Sequence, residues 1–309
     1  MRNTFVSGLE KLAENDDHLF LMTGDLGFGV LDGFAQKFPE RFINAGISEQ
    51  NMVAVAAGIA LEGNSVYIYS IGNFPTMRCL EQIRNDVCYH NANVKVVSVG
   101  AGLSYGQLGM SHHATEDIAI MCALPNMKVF SPADPQEAIA VLEEVHRLKG
   151  PAYVRLGKGR EQNIHADMPV ENVYDAQEIK DGSDACIFAT GAILSEVITA
   201  ADALGKKGVS VKVNSILSIK PIDEQVVWNC GKQYKWVFTV EEHNVIGGLG
   251  SAVAEVLASM PDNRARLFRI GMQDQYSSIV GSHDYLRDYY GLSAQKIEEK
   301  ILTVMGMRS

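Results

Sequence analysis

The sequence predicts an α/β protein of two domains, each a mainly parallel sheet covered by helices. Its length of 309 residues suits about two domains of roughly 150 residues each. Its 47% of hydrophobic and 21% of charged residues are enough to form buried cores. Short β-rich runs alternate with longer helical stretches, and several of these runs are apolar on both faces, as strands covered on both sides must be.

The first domain is predicted over residues 1–165. Its strands are expected in five runs, in chain order HLFLMTGD, SVYIYSI, VKVVSVG, MKVFSP and AYVRL. Amphipathic stretches lie between them, including PTMRCLEQIRNDVCYH and PQEAIAVLEEVHRLKG. This order is typical of a parallel sheet with helices on its faces.

A segment rich in polar residues and interrupted by proline, 166–184, breaks this rhythm and is predicted to be a linker. The alternation restarts in residues 185–309 with the runs ACIFATG, VSVKVNSI, WVFTVEE and ARLFRIG. These runs predict a second, smaller α/β domain.

Charge and cysteine content narrow the class of protein. The formal net charge of -10 disfavours a nucleic-acid or anionic-membrane surface, because the long-range field would attract neither partner. The five cysteines are widely spaced and include no CxxC pair, which indicates neither a disulfide framework nor a zinc site. The longest apolar run, 52–61, is too short to cross a bilayer, and no signal-like segment opens the chain. We therefore expect a cytoplasmic protein.

One carboxylate stands out in the segment GISEQNMVAVAAGIALEG, because Glu49 is the only charged residue between Arg41 and Glu62. Ser48 suits an N-cap, which would place Glu49 in the first helical turn, where the helix dipole favours negative charge. The residues that follow are apolar nearly all round, so we expect a buried helix. A partly desolvated carboxylate there would gain from a nitrogenous partner that shares its proton. A purely structural carboxylate explains the same pattern.

This segment resembles the catalytic-glutamate segment of the transketolase and deoxyxylulose-phosphate synthase family of thiamine diphosphate enzymes. Other stretches similar to that family follow along nearly the whole chain, among them LEQIRNDVCYH, SYGQLGMSHHATEDIA, LPNMKVFSPADPQEA and TVEEHNVIGGLGSAVAE. The resemblance implies a pyrimidine-binding fold followed by a transketolase C-terminal domain. It also implies that Glu49 hydrogen-bonds N1′ of the aminopyrimidine and so helps to deprotonate the thiazolium carbon C2.

The resemblance assigns further cofactor and substrate residues by position. Phe74 matches the aromatic residue that stacks on the aminopyrimidine, and Ile71 replaces the family's other pocket phenylalanine. Asp25 matches an aspartate that lines the cofactor site. His112 matches the histidine that faces the substrate, where it would help with proton transfer or oxyanion stabilisation. The structural alternatives are a core position for Phe74 and a turn residue for Asp25.

Two arginines match positions that contact the substrate phosphate, Arg2 and Arg155. Arg155 begins the run RLGKGR, whose glycines would let backbone N–H groups approach an oxyanion. An ordinary solvated basic loop is the alternative.

Two other kinds of ligand site are disfavoured. GGLGSAVAE superficially suggests a dinucleotide loop, but it lacks the third glycine and a later acidic residue in convincing context. No spaced metal motif supports a metal site among four neighbouring side chains, His112, His113, Glu116 and Asp117. No metal ligand is expected in this chain.

Departures from the family pattern bear on the substrate. Gly100, Leu108 and Gly29 stand where family members have a phosphate-binding histidine, a hydroxyl-recognising aspartate and a serine that assists phosphate binding. His113 stands where the family usually has glutamine. Because these polar contacts read a sugar phosphate, their loss favours a modified, shorter or differently charged ketose donor.

The family's diphosphate and Mg²⁺ site lies on a separate domain with a GDG motif followed by asparagine, and the sequence contains no such segment. The resemblance therefore implies the C-terminal subunit of a split transketolase, paired with an N-terminal diphosphate-binding subunit in an α2β2 assembly. Thiamine diphosphate and Mg²⁺ would lie at the interface, with the Mg²⁺ ligands on the partner.

The expected reaction is transfer of a two-carbon ketol unit from a ketose donor to an aldose acceptor, with a sugar or sugar phosphate as substrate. Three alternatives stay open. They are a deoxyxylulose-phosphate-synthase-like enzyme, a β subunit of a 2-oxo-acid dehydrogenase, and a non-catalytic interaction subunit.

Overall fold

The computed structural model describes residues 1–159, 161–165 and 169–307, and it confirms two α/β domains with mostly parallel sheets flanked by helices. The strands, in chain order, are β1 (Leu19–Thr23), β2 (Phe42–Asn44), β3 (Ser65–Ile71), β4 (Val94–Val99), β5 (Lys128–Phe130), β6 (Ala152–Leu156), β7 (Gln177–Lys180), β8 (Ala185–Thr190), β9 (Val211–Ser215), β10 (Ser218–Lys220), β11 (Trp236–Asn244) and β12 (Arg266–Met272).

The α-helices, in chain order, are α1 (Arg2–Ala13), α2 (Asp32–Lys37), α3 (Glu49–Leu61), α4 (Leu80–Gln82), α5 (Asp117–Cys122), α6 (Pro135–Arg147), α7 (Leu194–Lys206), α8 (Glu224–Gln233), α9 (Leu249–Ala258), α10 (His283–Tyr289) and α11 (Ala294–Met305). Within the described residues, none of these helices combines the length and the apolar character that crossing a membrane requires.

In the described residues the larger sheet has seven strands in the order β10-β5-β6-β4-β3-β1-β2, and the smaller has five in the order β12-β11-β8-β9-β7. All neighbours pair in parallel except β10 with β5 and β7 with β9. These two antiparallel strands lie at sheet edges, where the constraint of a βαβ crossover does not apply.

All nine strands predicted from β-rich runs are present, and three further strands of the described residues were not predicted. β2 and β10 have three residues each, which is too short for a hydrophobic period to show. β7 lies inside the segment predicted as a linker, whose residues 166–168 are outside the described part. β10 follows β9 in sequence but pairs with β5 of the first sheet, so Ser218 lies opposite Phe130.

Apolar side chains cover both faces of each sheet. In β8, Ile187 packs into one core cluster of the second domain and Phe188 into the other, as the two-residue period of a strand requires. The buried strands place their carboxyl ends, and the loops that follow them, at one edge of each sheet. Open α/β sheets bind ligands at that edge.

Candidate active site

Four of the predicted site residues lie at the carboxyl edge of the first sheet. Asp25 follows β1, Phe74 follows β3, and His112 lies in the loop after β4, and these three strands are neighbours in the sheet. Glu49 begins α3 after β2, close enough to β1 that a Cβ added at Gly24 would lie 3.4 Å from Glu49 Cγ. The strand order, rather than proximity in sequence, brings these residues together.

Glu49 lies in the first turn of α3 with only 4% of its surface exposed. Ser48 is the N-cap residue, as predicted, but its side chain makes no capping hydrogen bond. One oxygen of the carboxylate, Oε1, accepts a hydrogen bond of 2.9 Å from Arg78 Nη1. Glu49 is thus a nearly buried carboxylate with a nitrogenous partner.

Arg78 is one residue of this site that the sequence analysis missed. Its guanidinium carbon lies 4.4 Å from the centroid of the Phe74 ring, so it stacks on Phe74 while it donates to Glu49. A signal was present, because an arginine four residues after an aromatic residue is suited to a cation–π contact. Nothing in that spacing, however, indicates that the second partner is a glutamate 29 residues earlier.

The His112 side chain contacts other residues at the carboxyl edge of the first sheet. Its ring meets Phe74 edge to face with 5.1 Å between centroids, and the Tyr105 ring is 6.4 Å away. Its Nδ1 lies 3.0 Å from the Ser111 hydroxyl. Asn73 donates a hydrogen bond of 2.6 Å to the carbonyl oxygen of His113, which holds the end of this loop beside the Phe74 turn.

Asp25 has a left-handed backbone conformation, with φ of 55°. Asn44 holds it from the neighbouring strand, accepting from the Asp25 N–H at 2.9 Å and donating to the Asp25 carboxylate at 3.1 Å. Ile71 ends β3 half-buried and accepts from the Phe74 N–H at 2.9 Å. Both residues thus lie at the same sheet edge as Glu49 and Phe74.

The prediction that Arg155 contacts the substrate phosphate needs correction, because the structure does not place this side chain where a substrate could reach it. Its side chain is buried, and Nε donates to Asp117 Oδ2 at 2.7 Å. Nη2 donates to the carbonyl oxygens of Ala114 at 2.8 Å and Glu242 at 3.0 Å. Arg155 is the fourth residue of β6, so its side chain enters the interior between the domains. Arg160, at the end of the same basic run, lies outside the described residues.

A cavity of about 1000 Å³ lies between the two domains, next to the loop that carries His112. Arg2 and Tyr105 contribute to its lining from the first domain, and Arg287 from the second. Lys158 also lines it, with Nζ 4.5 Å from the centroid of the Tyr105 ring. Burial raises the pKa of the Tyr105 hydroxyl, and the nearby positive charge of Arg2 opposes that rise. Arg2 therefore lies in a cleft that Lys158 and Arg287 also line, whereas Arg155 does not line it.

The side chains of the disfavoured metal site have other partners. His113 Nδ1 lies 2.6 Å from the Ser277 hydroxyl, Glu116 accepts from Thr115, and Asp117 pairs with Arg155. Among the described residues, no group of three or more His, Cys, Asp or Glu side chains is arranged to hold a metal ion.

In the glycine-rich turn before α9, two backbone donors that a dinucleotide would need are already engaged. The N–H groups of Leu249 and Gly250, where such a loop would bind a diphosphate, donate to the Glu241 carboxylate at 2.7 and 2.8 Å. The turn therefore has an internal anion.

Family comparisons agree with both halves of this architecture. Residues 1–162 match the family described as transketolase, pyrimidine binding domain, and residues 175–297 match transketolase, C-terminal domain. The chain belongs to the transketolase family.

Relatives of the split type match the chain nearly end to end. A putative transketolase C-terminal section of Methanocaldococcus jannaschii is 40% identical, over 99% of this chain and 96% of the relative. One subunit of the apulose-4-phosphate transketolase of Actinobacillus succinogenes is 35% identical, over 88% of this chain and 87% of the relative. A solved structure described as a split gene transketolase, inactive β4 tetramer, has a TM-score of 0.89 at 33% identity and covers 100% of this chain and 99% of its own.

The group of residues around Glu49, at the carboxyl edge of the first sheet, fits the aminopyrimidine of thiamine diphosphate. Arg78 shows that a planar nitrogenous group can stack on Phe74 and donate to Glu49 simultaneously, and these are the contacts expected of the aminopyrimidine. Asn73 adds a buried Oδ1 that has no hydrogen-bond partner in the described residues. The residues present therefore suit the cofactor, whose aminopyrimidine would occupy the position that the Arg78 guanidinium now takes.

Proposed function

We propose that this chain is the pyrimidine-binding subunit of a thiamine diphosphate-dependent transketolase. It would transfer a two-carbon ketol unit from a ketose donor to an aldose acceptor, together with a separate diphosphate-binding subunit that supplies the Mg²⁺ ligands. The observation that carries this proposal is the nearly buried Glu49 carboxylate, which shares one planar nitrogenous partner with the face of Phe74.

The roles of the residues follow from their positions. Glu49 would hold a proton at the aminopyrimidine nitrogen, Phe74 would bind the ring face, and Asp25 would line the site. When bound, thiamine diphosphate supplies the nucleophilic carbon and the electron sink for breaking the C–C bond. His112 has Nδ1 engaged by Ser111, so we assign proton exchange with the substrate oxygen to Nε2.

The cavity chemistry supports a substrate with an anionic end. Arg2 and Lys158 bring two positive charges to Tyr105, and charged donors bind phosphate more strongly than neutral ones. The relative from Actinobacillus succinogenes is named for a phosphorylated sugar. We therefore propose a ketose whose terminal phosphate meets Arg2 and Lys158.

An exposed face of α3 supports the separate partner. The expectation of a helix buried all round is wrong for the single chain, because only one face packs on the sheet. The opposite face is exposed and consists of Asn51, Ala54, Val55, Gly58 and Leu61. Ile47, two residues before α3, and Phe28, in the loop after β1, are also exposed apolar side chains, with 81% and 76% of their surface accessible. Such an area on an otherwise acidic protein favours a protein partner, and we propose the α2β2 assembly.

The experiment is co-expression of this chain with the diphosphate-binding transketolase subunit of the same genome, in wild-type form and as Glu49→Gln. Glu62→Gln is the matched control, since Glu62 is exposed at the other end of α3. We expect both variants to assemble, and ketol transfer to fall about 100-fold or more only in Glu49→Gln.

Native mass spectrometry and a coupled assay supply the readouts. Near-normal turnover in Glu49→Gln, or a complex that binds no thiamine diphosphate, would refute the proposal. Release of CO₂ from a 2-oxo acid, with no ketol transfer, would assign the subunit to the synthase-like or dehydrogenase-like class instead.

A further inference from the structure

The loop that carries His112 belongs to the first domain in sequence but is held largely by the second domain. It leaves β4 at Gly100 and reaches α5 at Asp117. Gly102 and Ala114 close its base with two backbone hydrogen bonds, of 3.1 and 2.9 Å. Residues 103–113 therefore form a closed excursion, which we call the His112 loop.

Glu242, in β11 of the second domain, anchors the start of the His112 loop. Its Oε1 accepts from the backbone N–H of Leu103 at 2.6 Å. The approach is close, because a Cβ added at Gly102 would lie 2.5 Å from the same oxygen. The Leu103 side chain is fully buried and packs in the hydrophobic core of the second domain.

Glu242 is itself held in place from two directions. Its Oε2 accepts from Arg287 Nε at 2.7 Å, and its Oε1 also lies 2.7 Å from His283 Nε2. Burial disfavours the charged form, but Arg287 and His283 outweigh it and hold the pKa of the Glu242 carboxyl far below its ordinary range. The anchor is therefore an ionised carboxylate, which gives a strong charge-assisted hydrogen bond to the loop.

Two further contacts from the second domain hold the middle and the end of the loop. The N–H of Gly281 donates to the Gly106 carbonyl oxygen at 3.2 Å, and Gly106 lies so close that an added Cβ would be 2.5 Å from Gly281 O. Ser277, itself buried, lies 2.6 Å from His113 Nδ1. His113 is the neighbour of His112, so this contact fixes the backbone next to the substrate-facing ring.

We propose that Glu242 and Ser277 are positioning residues for His112, so that these two residues of the second domain orient a side chain of the proposed active site without touching the substrate. The inference rests on the proposed function for the role of His112. It assigns a positioning task to a domain that contributes none of the four predicted site residues at the carboxyl edge of the first sheet. The physical reason is that a loop tethered at its start, middle and end has few conformations, and a reacting group must be held closely to act.

The test compares Glu242→Gln and Ser277→Ala with Glu298→Gln. Glu298 is a matched control, because it is a buried glutamate of the second domain, on α11, whose ion pair is with Lys207 at 2.9 Å rather than with a residue of the loop. Hydrogen exchange of peptides spanning 103–113, measured on the full chain, reports the order of the loop. Kinetics of the complex with the diphosphate-binding subunit report its effect on the reaction.

We expect exchange in 103–113 to quicken at least tenfold in Glu242→Gln and less in Ser277→Ala, with the sheet peptides unchanged. We expect kcat to fall about tenfold in Glu242→Gln while KM changes less than threefold, because binding contacts are kept and orientation is lost. Glu298→Gln should change neither. A purely structural role would instead lower the active fraction and leave KM, loop exchange and the kcat per folded site as in the wild type.

Unchanged loop exchange in folded Glu242→Gln, or faster exchange with wild-type kcat, would overturn the proposal. If Glu242→Gln fails to fold, the same two readouts on Ser277→Ala decide it. If the wild-type complex shows no ketol transfer, the proposed function fails and the kcat prediction with it, whereas the exchange result still decides whether the second domain orders the loop.

Discussion

Replacing Arg155 tests whether this arginine is a structural group or a substrate ligand. In Arg155→Gln, Asp117 would keep the hydrogen bond from the Tyr153 hydroxyl but lose its cation, while fully buried. The other oxygen of that carboxylate already has no hydrogen-bond partner among the described residues. The variant therefore leaves a buried charge uncompensated.

The magnitude follows from the contacts that are lost. Arg155 makes three hydrogen bonds, of 2.7, 2.8 and 3.0 Å, and breaking a buried ion pair from one side costs about 3–5 kcal/mol. For a chain of this size each kcal/mol lowers Tm by roughly 2–4 °C. We expect Tm to fall by about 10 °C, with KM for a phosphorylated donor unchanged in the fraction that stays folded.

The control is Arg147→Gln, because Arg147 pairs with Glu144 at 2.9 Å but its side chain is 72% exposed. An exposed pair contributes only about 0–1 kcal/mol, so Tm should hardly change. Differential scanning calorimetry measures both shifts. A folded Arg155→Gln with wild-type Tm and a KM raised tenfold would refute the structural assignment and restore the predicted phosphate contact.

Three further predictions follow. Arg78→Gln should destabilise the chain by about 1–3 kcal/mol, because it leaves the nearly buried Glu49 carboxylate without its partner. Glu49→Gln leaves only a half-exposed guanidinium without its partner and should cost under about 1 kcal/mol. Urea unfolding that shows the reverse order of stabilities would contradict this. Arg2→Ala and Lys158→Ala should each raise KM for a phosphorylated donor about tenfold, with little change for its unphosphorylated counterpart. Burial lowers the pKa of His243 from 6.5 to about 4, so the unfolded chain takes up the proton at a higher pH than the folded chain does. The unfolding free energy should therefore fall as the pH is lowered from 6.5 to 4, and it should fall less steeply in His243→Gln. Equal slopes for the two proteins would disprove this prediction.

Local pattern was enough for the architecture and for part of the site. The alternation of β-rich and helical runs predicted nine strands, because burial on both faces leaves long apolar runs such as β3. The lone carboxylate after Ser48 predicted the first turn of α3, because capping and helix-dipole effects also depend only on residues that are close in sequence. β10 was missed because a three-residue strand carries no measurable period of its own, whereas β5, which is equally short, lies in the β-rich run MKVFSP.

Partners distant in sequence were decided only by the tertiary structure. Arg155 looked like a phosphate ligand until β6 placed it against Asp117 and Glu242 in the interior. Lys158, three residues later, lies in the cavity instead. Glu242 reaches Leu103 across 139 residues. Hydrophobic periodicity predicts which face of an element is buried. It does not predict which charged group will pair with a buried side chain, because that partner depends on how elements distant in sequence pack together.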